Sequence, residues 1–220
     1  MPQHRSVDFL IAQFQTFLEV FDKKGPFNRP DQQRLHGRTI GLLHGSGGAQ
    51  AALVNPVFQR SLYETLQAWG IGMRGSRLRP FPDFVEALLA ESTSIGQLDP
   101  LILDDVSLNV DTVARKVARL VQRLSIVDNK CRVVASSKAL HHILPRLVVP
   151  IDREYTQRFF QWQNPQLQYE PEKCVIDAVH AFVRIAREAD PAQYVTGDGW
   201  YLSTTKVIDN AIVGFVVSGQ

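Results

Sequence analysis

Apolar residues recur at spacings of three and four along most of the chain, which is the period of an amphipathic α-helix. The first stripe runs from Val7 to Phe21, and Ser6 in front of it is a suitable N-cap. Nine helical segments with few credible strands predict an all-α fold. The remaining predicted helices cover residues 32–44, 58–69, 82–90, 110–124, 130–144, 152–162, 175–186 and 203–215.

The connections between these helices predict the domain organisation. No internal repeat and no long linker interrupts the helical pattern, so we expect one bilobal domain spanning residues 1–220. Its soft seam is the connection at 95–108, which is extended or looped and has room for a short strand. The first helix is expected to pack with the C-terminal half. Asn109 and Ser203 are the expected caps of the helices that follow them.

Composition narrows the class of protein. Hydrophobic residues make up 45% of the chain and charged residues 21%, which is ordinary for a globular protein. A formal charge of +2 neither demands nor forbids a nucleic-acid partner, so any basic face must be local. The first residues lack the apolar core of a signal peptide, and no run approaches the length of a membrane helix. With only Cys131 and Cys174 as expected buried thiols, we predict a cytoplasmic protein without a membrane partner.

The segment SKALHHILPRLVVPIDREYT, residues 137–156, is the first candidate for chemistry. Asp152 opens a predicted helix, where a carboxylate accepts backbone N–H groups as an N-cap. A carboxylate fixed in this way beside a pocket also suits a general base or an electrostatic stabiliser of a cation. The sequence leaves both roles open, with Lys138, His141 and Arg153 as candidate substrate-binding neighbours.

His141 and His142 are adjacent, so on a helix they point about 100° apart and do not share a face. No further histidine or carboxylate follows at helical spacing, and a zinc site would need one. We therefore expect no metal and no cofactor. His141 comes three residues after Lys138 and is expected to meet it on a polar stripe.

Three arginines lie close together in RGSRLR, residues 74–79. Arg74 and Arg77 are the candidate anion ligands, because forked guanidinium groups and free backbone N–H groups bind phosphate or carboxylate. The alternative interpretation is a solvated connector between two helices.

The C-terminal segment GDGWYLSTTKVIDNAI is the third candidate. Lys206 and Asp209 are three residues apart on the predicted helix and are therefore neighbours. One interpretation is a capped helix start with an exposed ion pair. The other places Lys206 in the same cleft as Asp152, with Trp200 and Tyr201 as a stacking wall for a base.

The pattern Pro-x-Leu-Val-x-Pro-x-Asp, which ends at Asp152 and begins the next helix, resembles the end of the active-site region in the helix-hairpin-helix DNA glycosylase superfamily, whose members include endonuclease III-like enzymes. In that superfamily a hairpin and its second helix lead through an apolar Val-Pro segment to an essential aspartate at a helix start. The match in this chain is Val149-Pro150-Ile151-Asp152, a small part of the 220 residues. The resemblance implies a bilobal helical fold with Asp152 at the active site.

The chain also departs from this family pattern. The family hairpin has a Gly-x-Gly turn that holds a DNA phosphate, whereas residues 125–130 contain no glycine. The family's nucleophilic lysine corresponds to a position near Val133, and Lys138 lies too close to Asp152 in sequence to replace it. A Schiff-base lyase mechanism is therefore not predicted, and two cysteines exclude a four-cysteine iron–sulfur loop.

Together these features predict recognition of a nucleic acid or nucleotide, with hydrolysis of an N-glycosidic bond in damaged or modified DNA. Asp152 would stabilise the oxocarbenium ion or orient water, Arg74 and Arg77 would hold phosphate, and Trp200 or Tyr201 would stack a base. The alternative is a non-catalytic DNA-binding or protein-interaction module with the same fold. The two alternatives differ in whether Asp152 lines an open pocket or is sealed as a cap.

Overall fold

A computed structural model of the chain describes residues 2–27, 29–72, 76–163 and 165–219. In these ranges the regular elements are thirteen α-helices and one short 3₁₀ helix. An isolated β-bridge joins Leu78 and Val127, and the described part of the connection at 95–108 forms no strand. The prediction of an all-α fold is therefore confirmed. None of the helices in the described ranges has both the length and the apolar character needed to cross a bilayer.

The helices follow one another with short connections. They are α1 (Pro2–Ala12), α2 (Phe14–Lys24), α3 (Pro30–Gly45), α4 (Ala49–Leu53), α5 (Pro56–Ala68), α6 (Phe81–Ala90), α7 (Ser92–Gly96), α8 (Val110–Arg123), α9 (Val133–Ile143), α10 (Thr156–Phe159), α11 (Gln166–Tyr169), α12 (Pro171–Glu188) and α13 (Thr204–Val217). The 3₁₀ helix, Pro191–Tyr194, lies between α12 and α13.

The three helix pairs with the most extensive packing are α2 with α13, α8 with α12, and α3 with α5. Helix α9 contacts α3, α5 and α8, so it joins the first half of the chain to the second. Helix α1 contacts α12 and α13, which confirms that the N-terminus packs with the C-terminal half. Most of the buried apolar side chains in the described ranges form one contiguous core cluster.

The predicted helix starts are confirmed where a polar cap is present. The Oδ1 atom of Asn109 accepts a hydrogen bond from the backbone N–H of Thr112 at 3.0 Å. The hydroxyl of Ser203 accepts one from the N–H of Lys206 at 3.2 Å. These side chains satisfy N–H groups that have no partner within the helix, which fixes where α8 and α13 begin.

Two predicted helices differ from the structure. The apolar stripe of residues 7–21 is divided at Gln13 into α1 and α2, and Ser6 lies inside α1 instead of capping it. The helix predicted over 152–162 is reduced to the single turn of α10. The backbone of Gln161 adopts a positive φ of 54°, which is incompatible with a continuing right-handed helix.

The closest approach of α2 and α13 leads to a stability prediction. A Cβ atom added to Gly214 would lie 1.9 Å from the carbonyl oxygen of Phe17, which is backbone and cannot rotate away. Gly214→Ala must therefore separate the two helices, and we expect it to lower the free energy of unfolding by about 3 kcal/mol. Thermal melting would measure the effect.

Gly41→Ala is the matched control for this substitution. Gly41 lies on the exposed side of α3, and no atom lies within 4 Å of its added Cβ. Because alanine favours the helical conformation over glycine, this variant is expected to be unchanged or more stable by up to about 1 kcal/mol. Equal melting temperatures for the two variants would contradict the packing argument.

Candidate functional site

Asp152 lies beside a small pocket. Its walls come from α9, from α13, and from the segments just before α3 and just after α5. Its cavity has a volume of about 50 Å³. Two lysines and two aspartates face one another there among three large aromatic side chains. The lining residues are Phe27, Gln32, Trp69, Lys138, Pro150, Asp152, Trp200, Lys206 and Asp209. The pocket shares part of this wall with an adjoining groove of about 390 Å³.

Asp152 lies three residues before the N-cap of α10, which is Tyr155, and its side chain holds the turn that leads into this helix. Its Oδ1 atom accepts hydrogen bonds from the backbone N–H groups of Tyr155 at 2.7 Å and Thr156 at 3.1 Å. These bonds satisfy N–H groups at the start of α10 and fix the orientation of the carboxylate. The same side chain lines both the pocket and the groove. Among the described residues no hydrogen bond ends on Oδ2, so this oxygen is available to a ligand or to water.

Lys206 is the most unusual group in the pocket wall, since its side chain is completely buried. Its ammonium donates hydrogen bonds to Oδ2 of Asp209 at 2.7 Å and to Oδ1 of Asn210 at 2.6 Å. The predicted ion pair is therefore confirmed, but it is buried and not exposed. Burial lowers the pKa of Lys206 from its ordinary value, while the carboxylates of Asp209 and Asp152 oppose that change.

Aromatic rings surround the Lys206 ammonium. Its nitrogen lies at distances between 4.7 and 5.8 Å from four ring centroids, which is the range of a cation–π interaction. The rings belong to Phe21, Phe27, Trp69 and Trp200. The same rings therefore stabilise the buried charge and, with the exception of Phe21, form the walls of the pocket.

Two further cationic residues lie between the pocket and the groove. Lys138 lines both, and its ammonium donates to the backbone carbonyl of Trp69 at 3.3 Å. Arg153 is exposed and lines the groove, where one guanidinium nitrogen lies 3.9 Å from the sulfur of Cys131. The groove is also lined by Arg29, Asp152 and Glu154, so three cationic side chains and two carboxylates face it.

Three buried histidines lie behind the aromatic wall. The ring of His36 stacks on Trp200 with centroids 5.6 Å apart, and the ring of His141 stacks on Trp69 with centroids 6.0 Å apart. His36 and His141 are themselves stacked at 5.6 Å. The histidines therefore support the pocket's two tryptophans from behind, whereas none of the three lines the pocket itself.

The hydrogen bonds of these histidines define their protonation. Nδ1 of His142 lies 2.8 Å from the carbonyl oxygen of Lys138 and must donate to it, so Nε2 accepts from Nδ1 of His36 at 3.0 Å. Nδ1 of His141 donates to the carbonyl of Val148 at 2.9 Å. Burial is the main cause that lowers the pKa of all three histidines, that of His141 to about 3. All three rings are neutral at pH 7.

The structure brings four of the predicted site residues together at one pocket: Asp152, Lys138, Lys206 and Trp200. The exposed Arg153 joins them at the groove. His141 lies one layer behind, buried against Trp69 instead of on a polar stripe. The described residues include no group of histidine, cysteine, aspartate or glutamate side chains arranged to hold a metal ion.

The other predicted site residues lie away from this pocket. The hydroxyl of Tyr201 donates to Asp22 at 2.8 Å, and its ring is not among the lining residues. Arg77 is exposed in a separate surface depression, where Asp128 is also found. Arg74 lies outside the described residues. The structure therefore provides no contact between Arg77 and the pocket.

Several residues of the site were not predicted from the sequence: Phe27, Gln32, His36 and Trp69. Asp209 was expected only as the partner of Lys206. Trp69 was assigned to the apolar stripe of its helix, but it follows the last residue of α5 and turns its ring to the pocket. Phe27 lies in the short connection between α2 and α3. The sequence does contain a signal for these two aromatic residues: Trp69 is followed by Gly70, and Phe27 is preceded by Pro26. Aromatic residues beside a helix-ending glycine or proline lie outside the regular helix, and their rings can therefore face a cleft.

Comparison of the chain with protein-family models, with curated proteins and with solved structures found no match. The resemblance to the helix-hairpin-helix superfamily stays a prediction that rests on the residues leading to Asp152. The helical fold and the geometry of the pocket are therefore the observations from which a function is inferred.

Proposed function

We propose that the chain has a helix-hairpin-helix glycosylase-like fold, binds a base of a nucleic acid or nucleotide in the pocket beside Asp152, and hydrolyses its N-glycosidic bond. One observation carries the proposal. The carboxylate of Asp152 is held by two backbone N–H groups and also lines a pocket walled by Trp69, Trp200 and Phe27. Aromatic walls accept the face of a base, and a fixed carboxylate suits the charge that develops on the sugar.

In the proposed reaction the bond between C1′ and the base nitrogen breaks, and the electron pair leaves with the base. The sugar then carries an oxocarbenium charge, which the carboxylate of Asp152 stabilises. Water adds to C1′ and gives a proton to Asp152, which releases it to solvent, and the departing base takes up one proton from solvent. Asp152 is a carboxylate again at the end of the reaction. The products are the free base and a sugar with a hydroxyl group at C1′.

The adjoining groove supports a polymeric substrate. Lys138 lies where the groove and the pocket share a wall, and the exposed guanidinium of Arg153 lies further along the groove. Cations at these positions are suited to the phosphates on either side of a base that has left the stack. Binding through them would weaken as salt is added, because each phosphate contact releases counterions.

The alternative function is a non-catalytic DNA-binding or protein-interaction module. The two hydrogen bonds that Asp152 accepts favour it, because they account for an aspartate at this position without any chemistry.

Base release distinguishes these functions. The full chain is incubated with single- and double-stranded oligonucleotides that carry one modified base, and released base is measured by mass spectrometry. We expect release from at least one substrate, leaving a strand that alkali cleaves at the abasic position. Oligonucleotides with only normal bases are the control. Salt-dependent binding without release from any substrate would support the DNA-binding module. The absence of both binding and release would contradict the hydrolysis and the DNA-binding module alike.

A further inference from the structure

The aromatic cage of the pocket already contains a cation that belongs to the protein. Cages of tryptophan and phenylalanine rings commonly bind positively charged ligands through the ring faces. Here the Lys206 ammonium lies 4.7 Å from the centroid of Phe27 and 4.9 Å from that of Trp200. The faces that would attract a cationic ligand are therefore already engaged by Lys206.

Lys206 also presents a hydrogen-bond donor to the pocket. An ammonium has three N–H groups, and among the described residues two are used, by Asp209 and Asn210. The third has no acceptor among the described residues. Because the side chain has no surface open to solvent, a ligand reaches this N–H group only by entering the pocket that Lys206 lines. The pocket is also lined by Lys138 and Asp152, so its wall is balanced in formal charge. The cation that lies against the faces of Phe27 and Trp200 is Lys206.

The size of the cavity restricts the ligand further. A buried water needs roughly 10–15 Å³ of this kind of volume, so a cavity of about 50 Å³ has room for about four waters. That space suits the edge of a single six-membered ring, with the rest of the nucleotide in the groove. A two-ring purine would require the walls to move.

We propose that Lys206 makes the pocket selective for a neutral one-ring base with an exocyclic carbonyl group, and against cationic alkylated bases. This inference rests on the proposed base-binding function of the pocket. The carbonyl oxygen accepts the free N–H of Lys206. A cationic ring competes with the Lys206 ammonium for the aromatic faces that Lys206 already engages.

Two nucleosides of equal size test the selectivity. 3-Methyluridine is neutral and has a carbonyl at position 4, whereas 3-methylcytidine has an amino group there and is positively charged at neutral pH. We expect the full chain to bind 3-methyluridine at least about tenfold more tightly, because its carbonyl at position 4 accepts a charge-assisted hydrogen bond from Lys206. The cationic ring has only the carbonyl at position 2, which its positive charge makes a weaker acceptor, and it competes with Lys206 for the aromatic faces. Quenching of tryptophan fluorescence reports binding, since Trp69 and Trp200 line the pocket.

Variants separate charge from hydrogen bonding. Lys206→Met combined with Asp209→Asn removes both buried charges together, which avoids leaving one unpaired, and should bring the affinity ratio of the two probes close to one or reverse it. Lys206→Gln keeps a donor without the charge and should retain binding of 3-methyluridine while admitting 3-methylcytidine. Arg77→Ala, on a separate surface depression, is the control and should keep the wild-type ratio. Melting curves identify variants that do not fold.

Several outcomes would overturn the inference. Equal or tighter binding of 3-methylcytidine by the wild-type chain would do so whether or not any variant folds. So would the absence of binding to either probe and to uridine at millimolar concentrations. Selective binding of the neutral probe without base release from any oligonucleotide would leave the selectivity standing and remove the proposed hydrolysis. Base release with no preference between the probes would support the proposed hydrolysis and overturn the selectivity.

Discussion

Asp152→Asn is expected to lower the single-turnover rate of base release by about a thousandfold while the fold stays intact. Loss of the charge removes the stabilisation of the oxocarbenium ion, and each factor of ten in rate corresponds to about 1.4 kcal/mol. Asparagine is as good an N-cap as aspartate. Its Oδ1 can still accept the N–H groups of Tyr155 and Thr156, so we expect a stability loss of no more than about 1 kcal/mol.

Asp105→Asn is the matched control for Asp152→Asn. Asp105 also caps a turn, since its Oδ1 accepts the backbone N–H of Ser107 at 2.8 Å, but it is not among the residues that line the pocket. This variant should keep the wild-type rate. If the wild-type chain releases base and the Asp152→Asn variant does so equally fast, Asp152 is only a cap and the proposed mechanism is wrong.

The helices were predictable because their signals are local. The apolar stripe of α8 and the cap at Asn109 lie within one segment, and the structure reproduces both. The break at Gln13 was not predictable in this way, because the apolar stripe continues on both sides of it. The shortness of α10 depends on backbone geometry at Gln161, which an apolar pattern does not encode.

The pocket was predictable only in part, because it is assembled from distant segments. Asp152, Lys138, Lys206 and Trp200 were each identified from their own surroundings in the sequence. Their meeting at one pocket depends on tertiary packing.

The burial of Lys206 and the histidine cluster had no local signal either. Lysine–aspartate pairs at a spacing of three are common on exposed helix faces, so the spacing alone gives no sign of burial. His36 meets His142 across 106 positions of the chain, and no short-range pattern connects them.

Acidification below pH 6.5 is expected to destabilise the protein steeply, because three histidines are buried as neutral rings. Above about pH 6.5 these rings are neutral in both the folded and the unfolded state and contribute no pH dependence. Below it the unfolded chain binds protons on His36, His141 and His142, whereas their lowered pKa values keep the folded rings neutral. Proton binding then favours unfolding. Between pH 6.5 and 5.5 the cost is about 1 kcal/mol for each histidine, or about 3 kcal/mol together.

Urea unfolding at a series of pH values would measure this loss, which is a large fraction of the usual stability of a domain of about 5–15 kcal/mol. His36→Phe keeps a ring that can stack on Trp200 and removes one titrating group. Between pH 6.5 and 5.5 the free energy of unfolding of this variant should fall by about 1 kcal/mol less than that of the wild-type chain. This difference is expected whatever the variant's stability at pH 7.5. His44→Phe, at an exposed position of α3, controls for the substitution itself. A wild-type unfolding free energy that does not change between pH 6.5 and 5.5 would show that the folded cluster takes up protons as readily as the unfolded chain. The neutral, buried state assigned to these histidines would then be wrong.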